Sequence, residues 1–327
     1  MRTRRLGPTL AVPALGLGCM GMSEFYGATD DAESLATLHR AMDLGVTFLD
    51  TADVYGPHRN EELLGRFLKE TSAAPTIATK FGIVREPGSY ARTISNDPGY
   101  ARTSCEASLR RLGVERIDLY YVHRIERERP IEEVMGELGR LVEEGLIGHV
   151  GLCEVGAETL RRAHAVTPVA AVQSEYSLWT RDVEAEVLPA CRELGVGFVP
   201  YSPLGRGFLT GRVTAESVAV DGDFRAGLPR FQREAFDANA RTLAALETMA
   251  RDKGCEPAQL ALAWLLAQGD DVVPIPGTRR VKWLEQNAAA ADVAFGAVDE
   301  RALREAFEAA EVVGERYTPE GMKGVEA

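Results

Sequence analysis

Eight short apolar segments recur along the chain, nearly every one followed by a helix-length amphipathic stretch, and this alternation limits the fold more than any other feature. Strands are expected over residues 15–20, 46–50, 76–80, 117–123, 149–153, 170–174, 197–201 and 271–275. A helix between two strands carries the chain back to the end it started from, so consecutive strands pair in parallel. Eight such units close on themselves as a (β/α)8 TIM barrel, an α/β fold that reaches this length as one domain, here residues 1–327. Helices are expected over 31–44, 60–69, 100–112, 131–144, 157–166, 183–194, 236–253, 257–268 and 279–289. Asp30 or Asp31 caps the first of these and Gly45 stops it. A β-hairpin over 4–12, turning at Gly7-Pro8, precedes the barrel, and an extra C-terminal helix over 299–313 follows it. Segments 82–98 and 203–232, rich in turn formers, read as loops, and 320–327 as a frayed tail.

Composition narrows the function. A formal charge of −12 argues against non-specific DNA or RNA binding, which relies on basic contacts to phosphates, while leaving room for one local anion pocket. Five cysteines, an odd count with no C-x-x-C, suit free thiols in a reducing compartment. His39, His58, His149 and His164 have no metal-ligand spacing, so no metal is expected. The basic N-terminus leads into no long apolar run, so neither a signal peptide nor membrane insertion is expected, and the cytoplasm is the expected address.

Barrel enzymes carry their chemistry where strands end. Four residues fall there: Asp50 and Tyr55 in D-T-A-D-V-Y, Lys80 in A-T-K-F, and His123 in L-Y-Y-V-H-R. A phenol is a poor acid near neutral pH, but an ammonium beside it favours the phenolate and eases proton release. Asp50 can hold Lys80, and His123 can orient a carbonyl oxygen. A proton donor over a carbonyl still needs electrons, which no side chain supplies, so a nicotinamide is the natural source. Phe25, Tyr26, Phe81 and Trp179 fall in loops round the same mouth and read as a substrate wall. The long loop at 206–232 reads as a lid. The string from Gly16 to Gly21 matches G-x-G-x-x-G, but a loop follows it, so it reads as a barrel strand whose glycines permit close approach.

The strings F-L-D-T-A-D-V-Y-G, I-A-T-K-F-G, S-L-R-R-L-G-V-E-R-I-D-L-Y-Y-V-H-R, V-Q-S-E-Y-S-L-W, Y-S-P-L-G-R-G and P-G-T-R-R follow one another along the chain. In that order and spacing, over essentially its whole length, the chain resembles the aldo-keto reductases, in particular the branch similar to potassium-channel β-subunits. The resemblance implies NADPH/NADP+ as cofactor, with NADH the second candidate, and a small-molecule carbonyl substrate; self-assembly stays open. It implies Tyr55 as general acid, supported by Lys80, Asp50 and His123. Tyr201 would stack on the nicotinamide, Gln173 would bond its carboxamide, and Cys153 and Glu154 would lie alongside. Ser202, Leu204, Gly205 and Gly207 would approach the pyrophosphate. Gly277, Thr278 and Arg279, opening the last βα helix, would seat the 2′-phosphate, with Gln286 and Asn287 on the adenine side.

Three positions depart from the family pattern: Cys153 where Ser is usual, Val122 where Gln is frequent, and Trp283 where some branches place Arg. Arg279, Arg280 or Lys282 would then hold the phosphate charge, and Cys153 would be open to oxidation. Two rival functions follow from the same features. One is a cofactor-binding regulatory subunit of a membrane channel, disfavoured because the barrel begins almost at residue 4 without a preceding inactivating segment. The other is a glycoside hydrolase using Glu154 and Glu175 as its carboxylate pair.

Overall fold

The N-terminal strands β1 (Thr3–Leu6) and β2 (Leu10–Pro13) pair antiparallel as the expected hairpin. In the computed structural model, which describes residues 1–85, 89, 91–309 and 312–326, the barrel follows. Its strands are β3 (Leu17–Gly18), β4 (Phe48–Asp50) and β5 (Thr76–Phe81), a side hairpin of β6 (Ile83–Arg85) and β7 (Arg92–Ile94), then β8 (Ile117–Val122), β9 (Ile147–Cys153), β10 (Val169–Glu175) and β11 (Gly197–Tyr201). Apart from the side hairpin these seven strands form one parallel sheet in chain order.

The eighth strand closes the sheet through an irregular segment with two prolines. Val273 and Ile275 donate their N–H groups to Phe198 and Pro200 of β11, at 2.8 and 3.1 Å. Pro274 and Pro276 alternate with them and have no N–H to give, yet their carbonyls accept from Gly16 and Gly18 at 3.0 and 3.3 Å. Each proline thus sits where its missing donor points away from β11, and the barrel closes with half the usual bonds on the β3 side. A Cβ at Gly18 would lie 2.9 Å from the Ile275 carbonyl, so glycine is what allows this approach.

Side-chain alternation divides the strands into two faces. Phe48, Ala78, Leu119, Tyr121, Cys153, Ala171, Val199, Val273 and Ile275 pack together inside the barrel with Leu6, Leu10 and Val12 of the hairpin. The hairpin meets the starts of β10 and β11, at Ala170 and Gly197, and stoppers the end opposite the catalytic candidates. Leu49, Ile77, Phe81, Tyr120, Val122, Leu152, Val172 and Phe198 face outward onto the helices, in the larger core. Asp50, Lys80, His123, Gln173 and Tyr201 share the inward parity, which the strand register makes unavoidable.

Helices form where expected, with revisions at several ends. Asp30 caps Asp31–Asp43 by accepting from Ala32 and Glu33 at 2.7 and 3.1 Å. The expected helix at 183–194 is a 3-10 turn, Asp182–Glu184, then Val187–Leu194. The expected 236–253 helix starts earlier and is split into Arg233–Asn239 and Leu243–Asp252. Residues 277–280 precede the last βα helix, Val281–Ala288, instead of opening it. The extra helix spans Ala297–Glu308; its expected extension to 313 crosses 310 and 311, outside the described residues. Segment 82–98, expected as a loop, supplies the β6–β7 hairpin, with 86–88 and 90 outside the described residues.

The tail also departs from expectation. Through 326 it is packed, not frayed: Val325 is buried, Ile125 donates to Gly324 at 3.2 Å, and Glu326 donates to the Glu154 carbonyl at 2.9 Å. Among the described residues no helix is long and apolar enough to cross a membrane.

Candidate active site

Asp50 is the last residue of β4, and the turn after it is held rigidly. The fully buried Asn60 accepts from the Thr51 hydroxyl at 2.6 Å and donates to the Cys19 carbonyl and the Ser23 hydroxyl at 2.8 and 2.7 Å. The Asp53 N–H donates to the Lys80 carbonyl at 3.1 Å, and the His123 N–H to the Phe81 carbonyl at 2.8 Å. The first bond fixes the turn bearing Tyr55 against the end of β5, and the second ties the end of β8 to the same place.

Four candidate side chains meet there. Lys80 Nζ, fully buried, donates to Asp50 Oδ1 at 2.5 Å, to the Thr51 carbonyl at 2.7 Å and to the Tyr55 hydroxyl at 3.3 Å. Asp50 Oδ2 accepts from Gln173 Nε2 at 2.7 Å, so both carboxylate oxygens are used. The His123 ring stands edge-on to Tyr55, centroids 5.8 Å apart at 82°. Burial opposes the Lys80 charge, but Asp50 and Tyr55 outweigh it and hold the ammonium above its ordinary range. Burial pushes the Asp50 carboxyl up against the pull of Lys80. Burial also keeps the Tyr55 phenol above its ordinary value; Lys80 draws it down as expected, without overcoming burial. Burial, Lys80, Arg124 and Arg92 drive His123 well below its ordinary value, so its imidazole is neutral near pH 7.

Asp50, Tyr55 and His123 line one end of a cavity of about 610 Å³. Cys153, Gln173, Tyr201, Ser202, Leu204, Gly207, Gly277, Thr278, Arg279, Gln286 and Asn287 line its course, as do Phe25 and Tyr26. Four expected lining residues lie elsewhere. Phe81 follows the inward Lys80 and therefore points outward, stacked on Tyr120 at 5.0 Å. Trp179 is buried beneath the cavity, stacked on Phe208 at 4.0 Å. Gly205, with φ +56°, packs on the Trp179 ring, where a Cβ would lie 2.8 Å from Cε3. Glu154, with φ +52°, is fully buried and pairs with Arg316 at 3.3 Å.

Glu175 is buried likewise, bound to Arg206 at 2.7 Å. Neither glutamate lines the cavity, so the carboxylate pair of a glycoside hydrolase is not formed. Cys153 lines it, but burial pushes its thiol up to about 12, leaving little of the thiolate that oxidation requires.

The cavity runs toward a cationic end. Trp283, Arg212 and Arg280 line it there, and Arg212 and Lys282 lie 4.8 and 4.7 Å from the Trp283 ring. Arg279 donates to the carbonyls of Gly21 and Tyr26 at 3.3 and 3.2 Å, tying down the first βα loop. Over the middle, the long loop crosses and docks on the same βα loop. Phe224 N–H donates to the Phe25 carbonyl at 3.0 Å, and its ring meets Phe25 and Tyr26 edge-on at 5.2 and 5.4 Å.

Sequence reasoning missed several lining residues. Tyr317, Glu320 and Gly321 come from the tail, and the Tyr317 hydroxyl is 3.0 Å from that of Tyr201. Arg92 and Arg124 line the catalytic end. The aromatic Tyr317 in an otherwise polar tail, and the arginine directly after His123, were the available signals.

Comparison with known proteins gives the family and the fold. The model of the Aldo/keto reductase family matches residues 14–307. A Schizosaccharomyces pombe protein, aldo-keto reductase yakc [NADP(+)], is 46% identical over 322 residues, covering 97% of this chain and 94% of its own. A Glycine max protein, probable aldo-keto reductase 1, is 48% identical over 308 residues, covering 94% and 88%. Among solved structures, a glycerol dehydrogenase from Gluconobacter oxydans superposes with a TM-score of 0.86 at 28% identity, covering 97% and 98%. The holo form of an aldo-keto reductase from Bacillus halodurans gives 0.78 at 25%, covering 96% and 98%.

Proposed function

The chain belongs to the aldo/keto reductase family, and from that premise we propose that it is an NADP-dependent oxidoreductase that reduces aldehydes or ketones to alcohols. The observation that carries the reading is the Tyr55 hydroxyl, 3.3 Å from a Lys80 ammonium locked to Asp50 at 2.5 Å, at one end of a cavity whose other end is cationic.

The residues fit a dinucleotide phosphate. Ser202, Arg206 and Gly207 line the cavity and, with Gly205 behind them, have φ between +47° and +95°, a glycine-containing turn whose backbone can come close to a pyrophosphate. Arg212 and Arg280, with Trp283, would hold the 2′-phosphate and adenine end, beside Gln286 and Asn287. Tyr201 and Gln173, near Asp50, would hold the nicotinamide end. The fission-yeast relative is named for NADP(+). Bound NADPH supplies a hydride to the carbonyl carbon.

The chain's own part is the proton. Tyr55 is protonated near neutral pH and gives its O–H proton to the carbonyl oxygen, while Lys80 stabilises the phenolate left behind. The phenolate then recovers a proton from solvent, so one NADPH and one proton are consumed per alcohol formed. Asp50 and the Thr51 carbonyl keep Lys80 charged and aimed. His123, neutral and lining the cavity, orients the carbonyl oxygen beside Tyr55.

The test is a panel of aliphatic and aromatic aldehydes and ketones, followed by absorbance loss from NADPH and, separately, NADH. Aldehyde-dependent consumption of NADPH is expected. Tight NADPH binding with no consumption by any carbonyl would overturn the reading.

A further inference from the structure

We propose that Arg92 and Arg124 form an oxyanion subsite, so that the preferred substrates are carbonyl compounds bearing a carboxylate or phosphate away from the reacting carbon. The proposal rests on the carbonyl-reduction reading and deepens it.

Ion-pair accounting carries the argument. Other arginines lining this part of the cavity are matched to a carboxylate: Arg85 to Glu24 at 2.6 Å, Arg206 to Glu175 at 2.7 Å and Arg225 to Asp223 at 2.6 Å. Among the described residues Arg92 and Arg124 pair with none. Arg124 is only 5% exposed, and its Nη1 bonds the carbonyl of its own neighbour, His123, at 2.9 Å. Arg92 bonds backbone carbonyls of the tail, Glu320 and Gly321, at 3.2 and 2.7 Å. The Nε atoms of both are buried without an acceptor.

Nearby carboxylates are already engaged. Glu154, which acts on Arg124 electrostatically, is bound to Arg316, and Glu320, which acts on Arg92, is bound to Lys323 at 2.6 Å. A buried Arg124 beside a half-buried Arg92, each with an unused Nε–H, is a costly arrangement unless an anion joins them. Their forks match the geometry of carboxylate and phosphate oxygens. Both line the cavity that Tyr55 and His123 line. Both also depress His123, which places their field on the reacting end.

A purely structural role is the competing account, since Arg92 bonds two tail carbonyls and Arg124 packs against the tail at Gly324. Relative rates on matched aldehydes separate the two. The probes are 4-carboxybenzaldehyde, 4-formylphenyl phosphate and the neutral methyl 4-formylbenzoate, with NADPH, on wild type, Arg92→Met and Arg92→Lys. For wild type, kcat/KM for at least one anionic aldehyde is expected to exceed that for the ester by about tenfold or more, the yield of one charge-assisted hydrogen bond. In Arg92→Met that ratio should collapse toward one, and in Arg92→Lys it should be partly restored. The better anion identifies the group the subsite takes.

A wild-type ratio near or below one, or a ratio unmoved by Arg92→Met, would overturn the proposal, whatever happens to stability. If no aldehyde is reduced, the reductase reading fails by itself. Calorimetry on NADP+-saturated protein then decides the subsite: benzoate binding over benzamide, lost in Arg92→Met, supports it, and equal binding overturns it.

Discussion

Replacing Lys80 by methionine isolates the electrostatics at the heart of the site. The change keeps most of the side-chain volume but removes the donor to Asp50 Oδ1 at 2.5 Å and to the Thr51 carbonyl at 2.7 Å. Asp50 is 3% exposed, so its charge is left in a dry interior with only the Gln173 amide for company. Breaking a buried pair in this way costs about 3–5 kcal/mol. The carboxyl has one escape, which is to take up a proton. For an ordinary unfolded-state carboxyl this escape costs about 4 kcal/mol at pH 7 and about 1.5 kcal/mol at pH 5.

The charge penalty in Lys80→Met is therefore capped near those values and shrinks on acidification. In sign terms, Asp50 then has a folded-state pKa raised by burial, so the variant is most stable below the unfolded value and loses stability as pH rises. Urea unfolding followed by circular dichroism at pH 7 and pH 5 reads the effect. The gap between wild type and variant should narrow by about 2–3 kcal/mol at the lower pH, and adding Asp50→Asn should make it flat with pH. A gap that is the same at both pH values would refute the claim that Lys80 neutralises a buried, ionised Asp50.

Three further outcomes test other parts of the account. His123 is held far below its ordinary pKa, chiefly by burial, so the folded state gains stability from it above about pH 6.5 and loses it as pH falls. The stability of wild type relative to His123→Leu should fall by up to about 1.4 kcal/mol per pH unit below that point, and parallel melting curves across pH 7.5 to 5 would count against it. A Cβ at Gly151 would lie 2.3 Å from the buried Tyr121 ring, so Gly151→Ala should cost about 1–3 kcal/mol by thermal melting. Arg212→Ala, which strips one face of Trp283, should weaken NADPH by about tenfold in a fluorescence titration and leave NADH nearly unaffected.

Most of the barrel was legible because its strands are buried on both faces and separated by amphipathic helices, a pattern with few other solutions. The eighth strand was visible as an apolar run, although Pro274 and Pro276 keep it from a regular ladder. Meeting of Asp50, Tyr55, Lys80 and His123 followed from strand ends alone, because parallel neighbours bring equivalent positions to one rim. Side-chain direction within those strings was harder. Phe81 reads as a loop residue at the mouth, yet it is the last residue of β5, and one residue along a strand reverses the face. Trp179 and Gly205 sit in loops near the mouth but pack against each other beneath it, a long-range contact that no local pattern encodes. The tail from 320 reads as frayed in the sequence, and only tertiary contacts, such as Tyr317 with Tyr201 and Glu326 with Glu154, reveal that the C-terminal segment is packed and joins the cavity wall.

The central claim is that Tyr55 gives the proton. Its hydroxyl has Lys80 as neighbour at 3.3 Å, and Tyr55→Phe removes that oxygen while keeping the ring beside His123. Measured side by side on one preparation, kcat for the best aldehyde should fall by at least about 100-fold, the contribution of a positioned general acid, while the NADPH dissociation constant stays within about threefold. Turnover near the wild-type rate in that variant would contradict the account.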